Sequence, residues 1–210
     1  MTGGFDGVIL GTGHNALVLQ AYLCRAGLRV LSVDRADSAG GGLATIENPR
    51  LPGFLHNTHS FFHRAITTMP WYTDLELEGH GARYIEPALN VAMVCPDSRV
   101  LKWWTDLDRT LESVATVSRR DADVLAGWIA RFEPIVENLL IPEASSPPLT
   151  PEDRRERLES TADGRLLLEV SALSPLEFVR GEFEDPVVRA GLLFFNGLRE
   201  VDLRLPGFGH

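Results

Sequence analysis

Near the N-terminus the run VILGTGHNALV sets Gly11, Gly13 and Ala16 at the spacing of a turn that cradles the pyrophosphate of a dinucleotide. Gly11 permits a tight turn and Gly13 lets the backbone approach the phosphates. Ala16 is small enough for a following helix to pack against the strand before it. The N-terminus of that helix offers free N–H groups and a partial positive charge to an anion. Asp34, about twenty residues further on, is placed to accept hydrogen bonds from the adenosine ribose hydroxyls.

The elements that must position these residues surround them. FDGVIL is an apolar run that stops at a glycine, which predicts a buried parallel strand. HNALVLQAYLCRAG predicts a helix with Leu17, Ala21 and Cys24 on its packed face. Gly27 ends it at the position after the cap, where glycine is favoured. RVLSVD is the next strand and closes on Asp34. Cys24 is therefore expected to be a small core residue, and with Cys95 it forms no C-x-x-C pair or disulfide framework. The competing reading is a βαβ turn that holds no ligand. The two flanking strands and the acid that ends the second argue against it.

Which dinucleotide is bound turns on DRADSAGGGLAT, residues 34 to 45. A simple nicotinamide site would run from the acid into another helix. Here a second glycine pair, Gly40-Gly41, brings another stretch of backbone close to the ligand, as a longer cofactor would need. The whole run GTGHNALVLQAYLCRAGLRVLSVDRADSAGGGLAT resembles the FAD-binding N-terminus of the phytoene desaturase-like flavoproteins, of the glutathione-reductase-type FAD superfamily. The resemblance implies that Gly11, Gly13 and Ala16 hold the pyrophosphate, with His14 and Asn15 also at the cofactor, that Asp34 holds the ribose and that Arg35 flanks the adenine. It implies that Gly40, Gly41, Gly42 and Thr45 line the path towards the flavin. Two positions depart from the family pattern: Ala16 replaces a glycine and Asp34 a glutamate one methylene longer.

Beyond this unit, NPRLPGFLHNTHSFFH carries His56, His59 and His63. Their spacing would align on a helix, but Pro52-Gly53 and Asn57-Thr58 argue for extended or turn structure, and zinc needs a further ligand. No metal site is expected. NVAMVC, PDSR and VLKWW predict a hairpin whose Trp103 and Trp104 point to opposite faces. Two helices follow, with Asp106 and Asp108 near the start of the first and Ser118 as N-cap of the second. Leu125, Ile129 and Phe132, extended by Ile135 and Val136, give the second its apolar face. An exposed connection rich in proline, serine and charge holds a short helix in PEDRRERL. Pro175 and Pro186 suit the first turns of two last helices, the second apolar enough to pack or to line a lipid-like pocket.

The fold class expected is α/β. A Rossmann-like FAD-binding βαβ segment (1–78) is joined to a substrate-side α+β region (79–210) with a hairpin and helices. The acidic balance, 29 Asp plus Glu against 20 Lys plus Arg, argues against nucleic acid as a partner. No leader and no stretch of the ~20 apolar residues that a membrane span needs is visible, so a cytoplasmic protein is expected. The resemblance extends over the N-terminal half of a family member only, without the glycine-rich segment that closes over the flavin. It implies one chain of a split, heteromeric FAD-dependent oxidoreductase of dehydrogenase or desaturase type, inactive without its partner. That partner would carry the C-terminal half of the fold and cover apolar faces left open here. A fragment of a longer product, or a non-catalytic binding subunit that keeps the fold, are the alternatives. The substrate implied is a hydrophobic small molecule such as an isoprenoid. An NAD-dependent dehydrogenase is disfavoured by Gly40-Gly41. No residue has a spacing that demands a general acid or base, so the catalytic residues stay unassigned.

Overall fold

The computed structural model describes residues 4–57, 59–60, 63, 66–198 and 201–207. It divides into two compact units between Tyr84 and Ile85.

In the first unit, strand β1 (Gly7–Leu10) leads through a glycine turn into helix α1 (His14–Arg25), and strand β2 (Val30–Val33) returns parallel to β1. The helix ends because Gly27 adopts φ +87°, open to glycine at little cost. Its N–H then reaches Cys24 O at 2.9 Å while that of Leu28 reaches Leu23 O at 3.1 Å, the paired bonds of a Schellman stop. A short antiparallel hairpin, β3 (Thr45–Glu47) and β4 (Leu55–Asn57), and helix α2 (Pro70–Asp74) complete the unit.

Two expectations fail here for one reason. Helix α1 meets β2 through the half-buried Gln20, which bonds both the Val30 carbonyl at 3.3 Å and the Ser32 hydroxyl at 2.8 Å. Leu17 and Ala21 therefore turn away from the sheet, and Cys24 is exposed rather than a core residue. The strands are not buried on both faces either. Ile9 and Val30 turn to the covered side, whereas Val8 is 60% and Leu10 85% exposed, paired across the strands with the exposed Leu31 and Val33. A periodicity identifies the apolar positions of an element but not which of them a neighbour covers.

The second unit holds both buried clusters found among the described residues. It opens with the hairpin β5 (Leu89–Val94) and β6 (Val100–Trp104), turned through Cys95 and Ser98. Helices α3 (Leu107–Ala115) and α4 (Arg119–Ile135) follow; of the two acids near the start of α3 it is Asp106 that accepts from Arg109 N, and Ser118 caps α4 as expected, accepting from Asp121 N. Pro134 lies inside α4, and the chain continues through a π-helical turn (Val136–Leu140) into α5 (Ile141–Ala144). There Ile135 is fully buried but Val136, expected on the same face, is exposed. Thr150 caps α6 (Pro151–Glu159) and Thr161 caps α7 (Ala162–Ser171). Ser174 and Glu177 form a reciprocal capping box at the start of α8 (Pro175–Glu182), which holds the Glu177 carboxyl below its ordinary range. Asp185 caps α9 (Pro186–Gly197). Among the described residues, no helix is long and apolar enough to cross a membrane.

Leu101, Val114, Val179 and Val188 join β6, α3, α8 and α9 in one core. Trp103 lies on the backbone of α9 at Gly191, where a Cβ would stand 2.2 Å from the indole, and meets Phe195 edge-on. Trp104 faces the other way and carries the Arg109 guanidinium over its ring at 3.4 Å. The α8–α9 loop is pinned by a buried carboxylate. Asp121, fully inaccessible, accepts from the N–H groups of Glu184 at 2.9 Å and Asp185 at 2.8 Å and pairs with Arg120 at 3.0 Å. Replacing it by alanine leaves those donors unmatched in a part-buried loop, and we expect Asp121→Ala to cost about 1–3 kcal/mol. Urea unfolding followed by tryptophan fluorescence measures it; a loss below about 0.5 kcal/mol would show that the loop holds without the carboxylate.

Candidate functional site

The glycine turn, the end of β2 and the second glycine segment meet in one knot. Gly11 has φ +106° and donates to Val33 O at 2.6 Å, so the turn is stitched to the end of β2. Gly13 caps α1 and pairs with Gly40 as an isolated parallel bridge. Gly40 N–H donates to Thr12 O at 2.8 Å. Next to it, Gly41 has φ +57°, and a Cβ there would stand 2.9 Å from Gly13 Cα. Conformation and space both require glycine at 41. The two glycine segments expected to approach a ligand thus pack on each other.

Asp34 ties the same knot from a third side. Its Oδ2 accepts from Thr12 N at 2.6 Å and from Thr12 Oγ1 at 3.0 Å, and its Oδ1 accepts from Ala36 N at 2.9 Å. These donors, the backbone N–H groups of Ala36 and Thr12 foremost, hold the carboxyl at a pKa of about 2. It is exposed, as is Arg35 beside it. Of the remaining predicted residues, His14 and Asn15 are exposed in the first turn of α1 and Ala16 is half-buried behind them. Gly42 lies in a 3₁₀ turn (Gly41–Leu43), and Thr45 opens β3. The structure therefore gathers Gly11, Gly13, Asp34, Gly40 and Gly41, while Arg35 and Thr45 stand at the margins. Thr12 is the residue that sequence reasoning misses. Its side chain and both its backbone polar groups all serve the knot, and only its place between two glycines marks it.

The residues present fit a dinucleotide diphosphate. A Cβ placed on Gly11 or Gly13 would have no neighbour within 4 Å, so both backbones face open space. The start of α1 has no side-chain cap and no acidic residue in its first turn. Its first N–H groups are thus left for an anion, with the helix dipole adding to the attraction.

Beside the turn lies a cavity of about 810 Å³, with His14 and Asn15 on its rim. Leu17 and Ala21 of α1, which turn away from the sheet, face Ile66, Trp71, Leu75 and Tyr84 across it. One end is clamped by Asp74, whose carboxylate accepts from Tyr22 Oη at 2.7 Å and whose carbonyl accepts from Arg25 Nη1. The bond to Asp74 raises the Tyr22 pKa. The histidines do not converge: His56 lies on β4, and no group of three His, Cys, Asp or Glu able to hold a metal occurs among the described residues. The His63 ring lies tilted against Tyr84, centroids 5.7 Å apart, with its Nε2 buried and unpaired. Thr58 lies outside the described residues.

Residues 9–74 match the family of NAD(P)-binding Rossmann-like domains. That segment is Rossmann-like. Over nearly its whole length the chain is also similar to a subunit of limonene dehydrogenase from Castellaniella defragrans, 33% identical over 198 residues, which is 94% of this chain and 36% of that protein. It is 28% identical over 194 residues to pyridine nucleotide-disulfide oxidoreductase domain-containing protein 2 of Rattus norvegicus, covering 89% of this chain and 30% of that one. The chain spans about a third of the length of the curated relatives it matches.

The Asp34 bonds carry a pH signature. A carboxyl with a lowered folded-state pKa stabilises the fold fully above its unfolded value near ~3.9 and loses that contribution as pH falls through the folded value. The Thr12–Asp34 link is therefore expected to hold down to about pH 2. The amide proton shift of Thr12, followed by NMR during acid titration, should move with that midpoint. A midpoint near ~3.9 would mean that the carboxylate does not hold the turn in solution.

Proposed function

We propose that this chain is the FAD-binding part of a flavin-dependent oxidoreductase of dehydrogenase or desaturase type, acting on a hydrophobic substrate of isoprenoid class. The observation that carries the reading is the packing of Gly40-Gly41 onto the Gly11–Gly13 turn, because it joins a second backbone segment to the phosphate cradle. The relatives support it. One is by name part of a dehydrogenase for limonene, a hydrocarbon, and the other is named for a pyridine nucleotide-disulfide oxidoreductase domain. The rest of the catalytic fold would come from polypeptide corresponding to the other two thirds of those relatives, supplied by a complementary subunit. The exposed Val8, Leu10, Leu31 and Val33 are a face such a polypeptide would cover.

In this reading Gly11, Gly13 and the first N–H groups of α1 hold the diphosphate, with His14 and Asn15 at the rim and Ala16 seating the helix. Asp34 takes the ribose, and Arg35 flanks the adenine. Gly40, Gly41, Gly42 and Thr45 steer the cofactor away from the turn. When bound, the flavin supplies a hydride acceptor or donor. The residues of this chain orient it and exclude water, and none is assigned to proton transfer. The apolar cavity beside His14 and Asn15 is compatible with a hydrocarbon ligand. The match to NAD(P)-binding domains also favours a second reading, in which a nicotinamide dinucleotide occupies the same cradle.

The test is the visible absorption spectrum of the purified chain, alone and together with the remaining two thirds of the fold, and chromatography of any nucleotide released on denaturation. Flavin absorption bleached by reductant, with FAD released, is the expected result. A released nicotinamide nucleotide would establish the second reading. Colourless protein that releases and takes up no nucleotide would leave a binding subunit that retains the fold alone. Gly41→Ala should lower FAD affinity by at least about tenfold, because the added methyl forces the two glycine segments apart. Unchanged affinity would show that their contact is not needed for binding.

A further inference from the structure

The acceptor count at Asp34 leaves a problem for any ribose. A carboxylate offers about four acceptor positions. Thr12 N–H and Thr12 Oγ1 both occupy Oδ2, and Ala36 N–H occupies one position on Oδ1. At most one position then remains, on Oδ1, with the Arg35 N–H also close to the carboxylate, whereas a ribose presents two vicinal hydroxyls. Dropping the Thr12 bonds to make room would remove two of the bonds that tie the turn to the end of β2. A second acceptor is already in place. Thr12 Oγ1 directs its proton at Asp34, so its lone pairs are turned away from that carboxylate. Asp34 is exposed and Thr12 half-exposed, so both can be reached from solvent. The hydroxyl is also polarised, because it donates to an ionised group.

We propose that Thr12 is a nucleotide-contacting residue: its Oγ1 and the free lone pair of Asp34 Oδ1 form a composite acceptor for the two ribose hydroxyls of an adenine dinucleotide. This rests on the dinucleotide reading above. It gives Thr12 a role separate from the backbone turn, since its N–H and C=O already secure Asp34 and Gly40. Valine at 12 would keep shape and backbone and lose the hydroxyl together with its bond to Asp34 Oδ2.

The experiment is calorimetric titration of the chain with ADP, 2′-deoxy-ADP and 3′-deoxy-ADP, for the natural protein, Thr12→Val and Thr12→Ser. Thr12→Val should weaken ADP about fivefold, the worth of one hydrogen bond to a polarised group, while Thr12→Ser binds like the natural protein. For one of the two deoxy analogues the Thr12→Val effect should vanish, because the hydroxyl that Thr12 accepts is no longer there. An equal loss for all three nucleotides would mean that Thr12 acts only through the turn and would overturn the proposal, as would no loss for any. If the natural protein binds neither ADP nor FAD, the dinucleotide reading itself falls, and this assignment with it. Should Thr12→Val not fold, Thr12→Ala closes the same cycle.

Discussion

The first unit depends on one close approach. Gly41 lies so near Gly13 that no side chain can stand between them, and the bond from Gly40 to Thr12 holds the two there. Once that contact forms, the turn after β1, the end of β2 and the segment leading to β3 behave as a single piece of backbone. Asp34 then works as a clip rather than a free side chain. This arrangement explains how an exposed site can be pre-organised in a unit with little core: among its described residues only Val30 and Tyr72 are buried hydrophobics. Hydrogen bonds and glycine geometry do here what apolar packing does in the second unit.

Much of this is legible in the chain. Gly11, Gly13, Asp34 and the Gly40-Gly41 pair announce themselves because each is a residue type forced by backbone conformation or by chemistry. For the same reason the caps at Asp106 and Ser118 and the prolines at 175 and 186 mark helix starts that the structure reproduces. What escapes is pairing across distance. Which face of α1 meets the sheet depends on Gln20 bonding Val30 and Ser32, so Leu17 and Cys24, apolar and well spaced, point elsewhere. Thr12 and Asp121 escape similarly. Their neighbours in sequence give no hint of Asp34 or of the loop at 184 and 185.

Asp121 shows what a buried charge can do when every donor around it is supplied by the chain. It bridges the start of α4 to the loop between α8 and α9, 63 and 64 residues away. The same loop carries Asp185, which caps α9, and α9 in turn presents Gly191 to Trp103. The indole can lie on that helix only because position 191 has no side chain. Small residues and fixed dipoles thus settle how the second unit packs, and its leucines and valines fill the space so defined.

The exposed ribbon of Val8, Leu10, Leu31 and Val33 has a cost inside a cell. Apolar side chains on a two-stranded pair with open edges are what holdase chaperones bind and what other unfinished chains adhere to. An exposed apolar ribbon of this kind ties the abundance of a polypeptide to how soon such a surface is covered after synthesis, through its exposure to chaperones and proteases.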